Sequence, residues 1–146
     1  MPSVNAQINP QFGPLIDVQI HVSEPRAHAL TANNQVIPPA VSARLLIDTG
    51  ASNTCIDPRL IAALGIAPTG SVPMHTPTTA GTPVHCDQYD IKLIIPHPVL
   101  SRVFGAVPVL ASDFSAQGMQ GLLGRDILAH CVFIANGEIG FYTLSF

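Results

Sequence analysis

One acidic tripeptide stands where hydrolytic chemistry could take place. Asp48, Thr49 and Gly50 follow directly after an apolar run at residues 45–47. A carboxylate at the end of a buried strand lies at the edge of the core, where desolvation opposes its ionisation. The Thr49 hydroxyl is a hydrogen-bonding group, and Gly50 permits a turn in which backbone N–H groups approach the acid closely. The tripeptide can therefore position one reactive carboxyl group, although the same residues are also common in plain turns.

A single carboxylate is poorly equipped to hydrolyse an amide. The attacking water must lose a proton while the carbonyl oxygen gains one, so that an acid and a base are needed together. Two carboxyl groups that share one proton can perform both tasks. The chain contains Asp-Thr-Gly once, and no other aspartate is followed by Ser-Gly or Thr-Gly. If Asp48 is catalytic, its partner has to come from a second copy of the chain, related by a two-fold axis.

The elements that must position Asp48 are mostly strands. Alternating or apolar runs predict strands at residues 15–22, 41–47, 53–56, 89–95, 103–110, 131–135 and 138–146. Pro108 favours an edge or a bulge in its strand, and Asn136-Gly137 predicts a hairpin. Asp57 and Pro58 predict the start of one short helix that stops at Gly65, and residues 125–130 predict a second. An exposed loop is expected at residues 23–39.

The bulk composition agrees with a single β-rich domain over residues 1–146, with residues 1–13 as a loosely ordered arm. Hydrophobic residues make up 47% of the 146 residues and charged residues 10%, which disfavours disorder. The 11 glycines and 14 prolines suit short strands and turns. We therefore expect an all-β, barrel-like or sandwich-like fold with two short helices.

Several classes of function and location have no support in the sequence. A net charge of −3 with six scattered Lys and Arg residues gives no basic surface for nucleic acid or for a membrane. Three scattered cysteines fit a reducing compartment. No signal-like start and no apolar run of about 18 residues is present, so we expect a cytoplasmic protein. The six histidines lack metal-binding spacing, and no phosphate-binding loop occurs. We expect no metal and no cofactor.

Two segments together give a more specific indication. Residues 45–52 read Leu-Leu-Ile-Asp-Thr-Gly-Ala-Ser, and residues 121–128 read Gly-Leu-Leu-Gly-Arg-Asp-Ile-Leu. This pairing, with a predicted hairpin between the segments, resembles the retropepsin family of aspartic peptidases over about residues 15–146, particularly its bacterial single-domain members. The resemblance implies a single-lobed acid-protease barrel that functions as a homodimer and cleaves extended polypeptides.

The resemblance also implies roles for the residues of the first segment. Asp48 matches the catalytic aspartate, and Thr49 matches the hydroxyl that locks the two subunits together. The carbonyl of Gly50 matches a group that holds the substrate backbone. Ala51 and Ser52 would continue the substrate-binding surface.

Further roles follow for the hairpin and the second segment. The hairpin over residues 66–87, centred on residues 78–81, matches the flap over the substrate, with Ala80 and Gly81 at its tip. Leu122 would line a side-chain pocket. Support beneath the catalytic loop would come from Leu123, Gly124, Arg125 and Asp126.

The sequence departs from the retroviral pattern after Ala51. Retroviral enzymes usually carry an acid there that pairs with the arginine, whereas this chain has Ser52 and Asn53. Asp57 or Asp126 could pair with Arg125 instead, or a hydrogen bond could replace the ion pair. This departure leaves an alternative function open, a peptide-binding dimer that keeps the fold without activity. A third hypothesis is a β-domain that is a structural part of an assembly.

Overall fold

The computed structural model describes residues 1–75 and 80–146, which form ten strands and three short helices. In chain order the elements are β1 Ser3–Gln7, β2 Leu15–Val22, α1 Glu24–Ala32, β3 Val41–Ile47, β4 Cys55–Ile56, α2 Pro58–Ala62, β5 Gly70–Met74, β6 Val84–Ile95, β7 Arg102–Ala111, β8 Gly121–Leu123, α3 Arg125–Leu128, β9 Val132–Asn136 and β10 Phe141–Ser145. The prediction of a β-rich fold is confirmed.

Seven strands form one sheet in the order β2-β3-β8-β4-β7-β6-β5, and an additional pairing between β2 and β6 closes six of them into a barrel. β5 pairs with β6 outside this ring. Closure removes free edges from the six barrel strands, which would otherwise invite pairing with other chains. The short strand β8 lies parallel to β3, with Ile47 opposite Leu123, and antiparallel to β4, with Cys55 opposite Leu122. β3, which leads into Asp48, is thus paired with the segment at residues 121–128.

The barrel interior follows from period-two alternation along the strands. Ile16, Val18, Ile20 and Val22 of β2 are all buried, while the residues between them are exposed or partly so. Removing these apolar side chains from water stabilises the fold, with about 25 cal/mol gained per Å² of apolar surface. The same alternation predicted β2 and β3 with the bounds that the structure has.

The remaining three strands form a separate sheet in the order β1-β10-β9. The prediction of a loosely ordered arm over residues 1–13 is wrong, because Ser3–Gln7 pairs along its full length with β10. Asn9 and Gly13 then exchange backbone hydrogen bonds of 2.9 Å in the turn that leads into β2. The predicted hairpin at Asn136-Gly137 is confirmed as β9–β10, although its loop extends over residues 137–140.

The helices differ from the prediction in their number. The helix beginning at Pro58 is confirmed, with the Asp57 side chain accepting from the Arg59 N–H as an N-cap, and α3 is confirmed over Arg125–Leu128. The prediction of two helices is wrong, because α1 occupies the predicted loop at residues 23–39. Ser23 caps α1, since its hydroxyl accepts from the Arg26 N–H.

The hairpin between the two motif segments consists of β5 and the first part of β6, paired from Gly70–Gln88 to Met74–Val84. Thr78 and Thr79, which belong to its predicted centre, lie outside the described residues. Pro108 lies opposite Asp90 of β6, next to a bulge between Ile91 and Leu93. On its other side β7 pairs with β4 only at Leu110 and Ala111 within the described residues. The predicted preference of this proline for an edge or bulge is therefore confirmed.

Within residues 1–75 and 80–146, none of the helices has the length and apolar character needed to cross a membrane.

Candidate active site

The loop that carries Asp48 is held by backbone hydrogen bonds at both ends. The Asp48 N–H donates to the Leu123 carbonyl at 3.0 Å, and the Ala51 N–H donates back to the Asp48 carbonyl at 3.2 Å. The Gly50 N–H donates to Oδ1 of the Asp48 carboxylate at 2.8 Å. A Cβ at position 50 would lie 3.1 Å from that oxygen, so glycine allows the backbone to approach the acid closely. The carboxylate therefore has a fixed orientation.

Asp48 lies in a groove of about 600 Å³ between the loop that carries it, residues 48–53, and the hairpin. The walls come from this loop, β4, β5, β8 and the end of β7. The lining residues are Asp48, Gly50, Ala51, Ser52, Asn53, Cys55, Val72, Pro73, Met74, His75, Leu110 and Leu122. The predicted substrate-binding residues Ala51, Ser52 and Leu122 are thus brought together with Asp48. Ala80 and Gly81 are not among the lining residues.

Arg125 binds the Asp48 loop through three groups. Its backbone N–H donates to the Ala51 carbonyl at 2.9 Å. Its Nη1 donates to the Thr49 carbonyl at 3.2 Å, and its Nη2 donates to Oγ of Ser52 at 2.9 Å. The sequence left open whether Arg125 pairs with Asp57, with Asp126 or with a hydrogen-bonding group. The structure has the hydrogen bond to Ser52, and neither Asp57 nor Asp126 pairs with the guanidinium. Ser52 therefore supports the loop in addition to lining the groove.

Asp126 instead binds Thr54, a residue that the sequence analysis missed. The Thr54 N–H donates to Oδ2 of Asp126 at 3.0 Å, and its hydroxyl donates to Oδ1 at 2.8 Å. The same hydroxyl accepts a bond of 3.1 Å from the Gly124 N–H. Thr54 is fully buried, so these bonds satisfy polar groups that water cannot reach. A threonine six residues after Asp48 carries no local signal of this role.

Two glycines allow the second segment, residues 121–128, to cross beneath the Asp48 loop. A Cβ at Gly124 would lie 2.5 Å from the Asn53 carbonyl carbon and 2.9 Å from the Thr54 nitrogen. A Cβ at Gly121 would overlap the Cys55 carbonyl oxygen. These neighbours are backbone atoms that cannot move aside without disturbing the strands. Both positions are therefore restricted to glycine by close packing.

Asp57 is committed to structure rather than to chemistry. Its buried carboxylate accepts from the Arg59 N–H and from the Arg59 guanidinium, with Nε at 2.8 Å from Oδ1. It also accepts from the Phe114 N–H at 3.2 Å. The hydrogen bond to the Arg59 side chain is the largest cause that holds the pKa of this carboxyl well below its usual range, against the opposing effect of burial. Asp57 therefore connects α2 to the loop after β7.

Cys55 is the one cysteine among the described residues that line the groove. Burial raises the pKa of its thiol to about 11, with Cys86, Asp126 and Asp48 adding to the effect. The thiol is therefore protonated at neutral pH, and its Sγ lies 3.6 Å from the Asn53 carbonyl as a weak donor. Because the thiolate is the reactive form of cysteine, this geometry does not favour cysteine chemistry.

Thr49 is exposed, and its hydroxyl forms no hydrogen bond within the described part of the chain. In that same part, no group of three or more His, Cys, Asp or Glu side chains is arranged to hold a metal ion.

The fold and this loop correspond to a known class. A family model described as aspartyl protease matches residues 31–127, more than half of the chain. The chain therefore belongs to the aspartyl protease family and is retropepsin-like.

A solved structure shares the fold. The crystal structure of a retropepsin-like aspartic protease from Rickettsia conorii superposes with a TM-score of 0.59 at 16% sequence identity. The match covers 99% of this chain and 90% of that chain. At this level of identity the likeness shows the fold. A comparison with curated proteins gave no match.

Proposed function

We propose that the protein is an aspartic endopeptidase in which two copies of Asp48, one from each subunit of a homodimer, activate a water molecule for peptide hydrolysis. One carboxylate would act as the base that takes a proton from the water, and the other carboxyl group would protonate the scissile carbonyl oxygen. The substrate would lie extended in the groove, beneath the hairpin, with its backbone near the Gly50 carbonyl.

One observation carries the proposal. Asp48 is the one carboxylate among the described residues that line the groove, and it is held by the Gly50 N–H at 2.8 Å. One oriented carboxyl group in a groove is half of the catalytic pair that amide hydrolysis needs. Retropepsin-like proteins generally function as dimers, and the second subunit of a dimer would supply the other carboxyl group.

The exposed Thr49 supports the dimer. Its carbonyl is fixed by Arg125, while its hydroxyl is left without a partner in the described part of the chain. A hydroxyl presented next to the catalytic acid suits a contact across the two-fold axis, where a second copy of the same loop would be present.

The last strand divides its side chains between the core and the surface. Tyr142, Leu144 and Phe146 pack inward in their own subunit. The outer face of the three-stranded sheet carries Val132, Ile134 and Phe141, which are exposed. We propose this face as the surface that a second copy covers.

The central test is Asp48→Asn. This variant should remain folded with the wild-type mass in solution, and it should lose about 1000-fold or more in kcat/KM on a peptide library. Asp90→Asn is the matched control, because Asp90 is an exposed acid outside the groove, and it should retain activity. Cleavage by Asp48→Asn at the wild-type rate would contradict the proposal.

Mixing the two proteins tests the shared site. Wild-type protein that has exchanged subunits with an excess of Asp48→Asn should lose most of its activity, because mixed dimers have one acid. If activity per wild-type chain stays constant, a single chain is the active unit and the dimer mechanism is wrong.

The shared proton also predicts the pH dependence. One carboxyl group has to stay protonated, so activity should be highest on the acid side of neutral pH. Initial rates measured from pH 4 to pH 9 check this, and a rate that keeps rising to pH 9 would exclude a shared-proton mechanism.

Ser52 bears on the alternative of an inactive peptide-binding dimer. The missing acid after Ala51 is the feature that could favour that alternative. The Ser52 hydroxyl, however, accepts a hydrogen bond of 2.9 Å from Nη2 of Arg125. The loop therefore keeps a side-chain support without an acid. The endopeptidase remains the function that the geometry supports best.

A further inference from the structure

Most of the sulfur atoms of the chain gather beside the groove. The chain has three cysteines and three methionines. Cys55 and Cys86 are buried in one packed cluster, and Met74 and Met119 pack against it. Four of the six sulfur-containing side chains therefore meet in one place, although they come from β4, β5, β6 and the loop after β7. Buried Cys and Met are also ordinary core residues, so access from solvent decides whether they can bind a ligand.

Three of these side chains are accessible from a chamber that opens from the groove. The chamber measures about 560 Å³, and Cys55, Met74 and Cys86 line it. Cys55 and Met74 also line the groove around Asp48. Met119 lines neither cavity. A small ion in the groove can therefore reach three sulfur-containing side chains.

The strand register places the three side chains around this chamber. Val72 pairs with Cys86 and Met74 pairs with Val84, so Met74 and Cys86 are diagonal neighbours on one face of the hairpin. Cys55 belongs to β4. Burial raises the pKa of the Cys55 thiol, and the neighbouring Cys86 is the second cause. The two thiols are therefore close enough to influence each other's charge.

The donors suit a soft metal ion. Thiolate and thioether sulfur are preferred ligands of Cu⁺. Within the described residues, no group of three or more His, Cys, Asp or Glu side chains is arranged to hold a metal ion, which disfavours a zinc site with four such ligands. A coordinating thiol gives up its proton. Cu⁺ bound by two thiols would thus release two protons to the solvent and leave a complex with one net negative charge.

The chamber also has polar lining residues, which are His85, Ser112, Asp113 and Gln117. The Asp113 side chain is 73% exposed and accepts from the Ser115 N–H at 2.8 Å, so it lies at the rim. His85 precedes Cys86 in β6, and alternation along a strand directs its side chain to the opposite face. The rim is therefore hydrated, and the sulfur atoms are the soft donors of the buried wall.

We propose that Cys55, Cys86 and Met74 form a binding site for a soft monovalent metal ion of the Cu⁺ type, and that the bound ion closes the groove beside Asp48. Met74 and Cys86 lie on the two strands of the hairpin, whereas Cys55 lies on β4 in the barrel wall. An ion held by all three would join the hairpin to β4 and obstruct the groove. The metal site stands on its own contacts, and the inhibition rests on the proposed endopeptidase function.

The number of bound ions tests whether the two thiols share one site. Ag⁺ is the probe, because it has the ligand preference of Cu⁺ without promoting disulfide formation. The titration uses Cys131→Ser, since Cys131 lies outside the chamber and would bind Ag⁺ on its own. A shared site predicts one tightly bound Ag⁺ per chain. Two independently bound ions per chain, or no tight binding, would overturn the site.

Variants identify the ligands. In competition for Cu⁺ with a coloured chelator, Cys55→Ser and Cys86→Ser should each lose at least about 100-fold in affinity, and Met74→Leu about 10-fold, because loss of an outer-shell partner alone costs about 10–100-fold. Met119→Leu is the control for Met74→Leu, since Met119 packs against the cluster without lining the chamber, and it should bind as wild type does. Thermal unfolding without metal checks each variant, and the conservative Met74→Leu decides if a cysteine variant does not fold. Equal affinity of Met74→Leu and Met119→Leu would exclude Met74 as a ligand.

Peptide cleavage tests the closure of the groove. One equivalent of Cu⁺ should abolish cleavage by Cys131→Ser, whereas Cys86→Ser in the same background should keep the rate that it has without metal. If Cu⁺ binds and cleavage continues, the closure is wrong and the endopeptidase stands. If Cu⁺ binds and no folded protein cleaves any peptide even without metal, the endopeptidase is overturned and the metal site stands. Cleavage without any Cu⁺ binding would overturn the metal site alone.

Discussion

Thr54 and Asp126 lie 72 residues apart in the chain, and two hydrogen bonds join them. Backbone and hydroxyl of the threonine each donate to one oxygen of the carboxylate, at 3.0 Å and 2.8 Å. The two segments that mark the family are thus connected by a bidentate side-chain contact as well as by strand pairing. Because Thr54 follows the groove residue Asn53, this contact fixes the backbone on which the groove depends.

Replacing Thr54 by Val removes the hydroxyl at constant shape. The Gly124 N–H loses its acceptor, and Oδ1 of Asp126 loses one of its two donors while keeping the Ile127 N–H at 2.9 Å. We therefore expect the free energy of unfolding to fall by about 1–3 kcal/mol. Urea denaturation at a fixed protein concentration measures this change. Thr49→Val is the matched variant, because its hydroxyl is exposed and unbonded in the described chain. Any loss of stability in this variant should come from weaker self-association and should decrease as the protein concentration is raised. Equal stability of Thr54→Val and wild type would refute the role of Thr54.

Ser52→Asp places a carboxylate beside Arg125, whose Nη2 lies 2.9 Å from the present hydroxyl. Both residues are exposed, so the new ion pair should stabilise the fold by less than about 1 kcal/mol. The gain should decrease in high salt, because ions screen exposed charges. Melting temperatures at low and high salt check this. Asn53→Asp adds the same charge one residue further on and serves as the comparison, and an equal, salt-insensitive effect of both changes would argue against a specific pair.

Gly124→Ala should be among the most damaging single-methyl changes in the chain. The added Cβ would lie 2.5 Å from the Asn53 backbone, and relief of that clash has to move the catalytic loop. We expect a loss of about 3 kcal/mol or more, or failure to fold. Gly137→Ala is the control, since a Cβ there meets no atom within 4 Å. Wild-type stability of Gly124→Ala would show that the loop is not packed as described.

Acid should remove the contribution of Asp57. Its pKa in the folded protein is lowered, chiefly by the hydrogen bond to the Arg59 side chain, so its ionised form stabilises the fold above the ordinary carboxyl range. That stabilisation decreases as the pH falls below about 4. Asp57→Asn should therefore be less stable than wild type at pH 7, with the difference shrinking toward pH 2. Denaturation midpoints across this range test the sign, and a difference that grows on acidification would contradict it.

The sequence predicted the strands that alternate regularly and the helix whose cap is distinctive. β2 and β3 were predictable because one face of each is buried and the other is not. α1 escaped prediction because Leu30 is its one fully buried residue, so no apolar stripe marks it, although Ser23 and Pro25 are ordinary signals of a helix start.

The residues of the candidate site also differ in how far the sequence alone could identify them. Asp48 could be named as a candidate because its segment and the segment at residues 121–128 together resemble the family, whereas Asp-Thr-Gly alone would also fit a plain turn. The partner of Arg125 was not, because Ser52, Asp57 and Asp126 were all chemically acceptable, and choosing between them requires the three-dimensional path of the loop. Thr54 was missed for a similar reason: its role depends on burial and on a carboxylate 72 residues away.

The crossing at Gly121 and Gly124 has a consequence for how variation in this family is interpreted. Across related sequences, both positions should be as invariant as Asp48, although a glycine contributes no side-chain atom to any reaction. Gly137 and Gly70, whose surroundings are open, should vary freely. A set of catalytic residues chosen by invariance would therefore include structural crossing points, and a relative that has lost Asp48 but keeps both crossing glycines would have lost the chemistry while retaining the architecture.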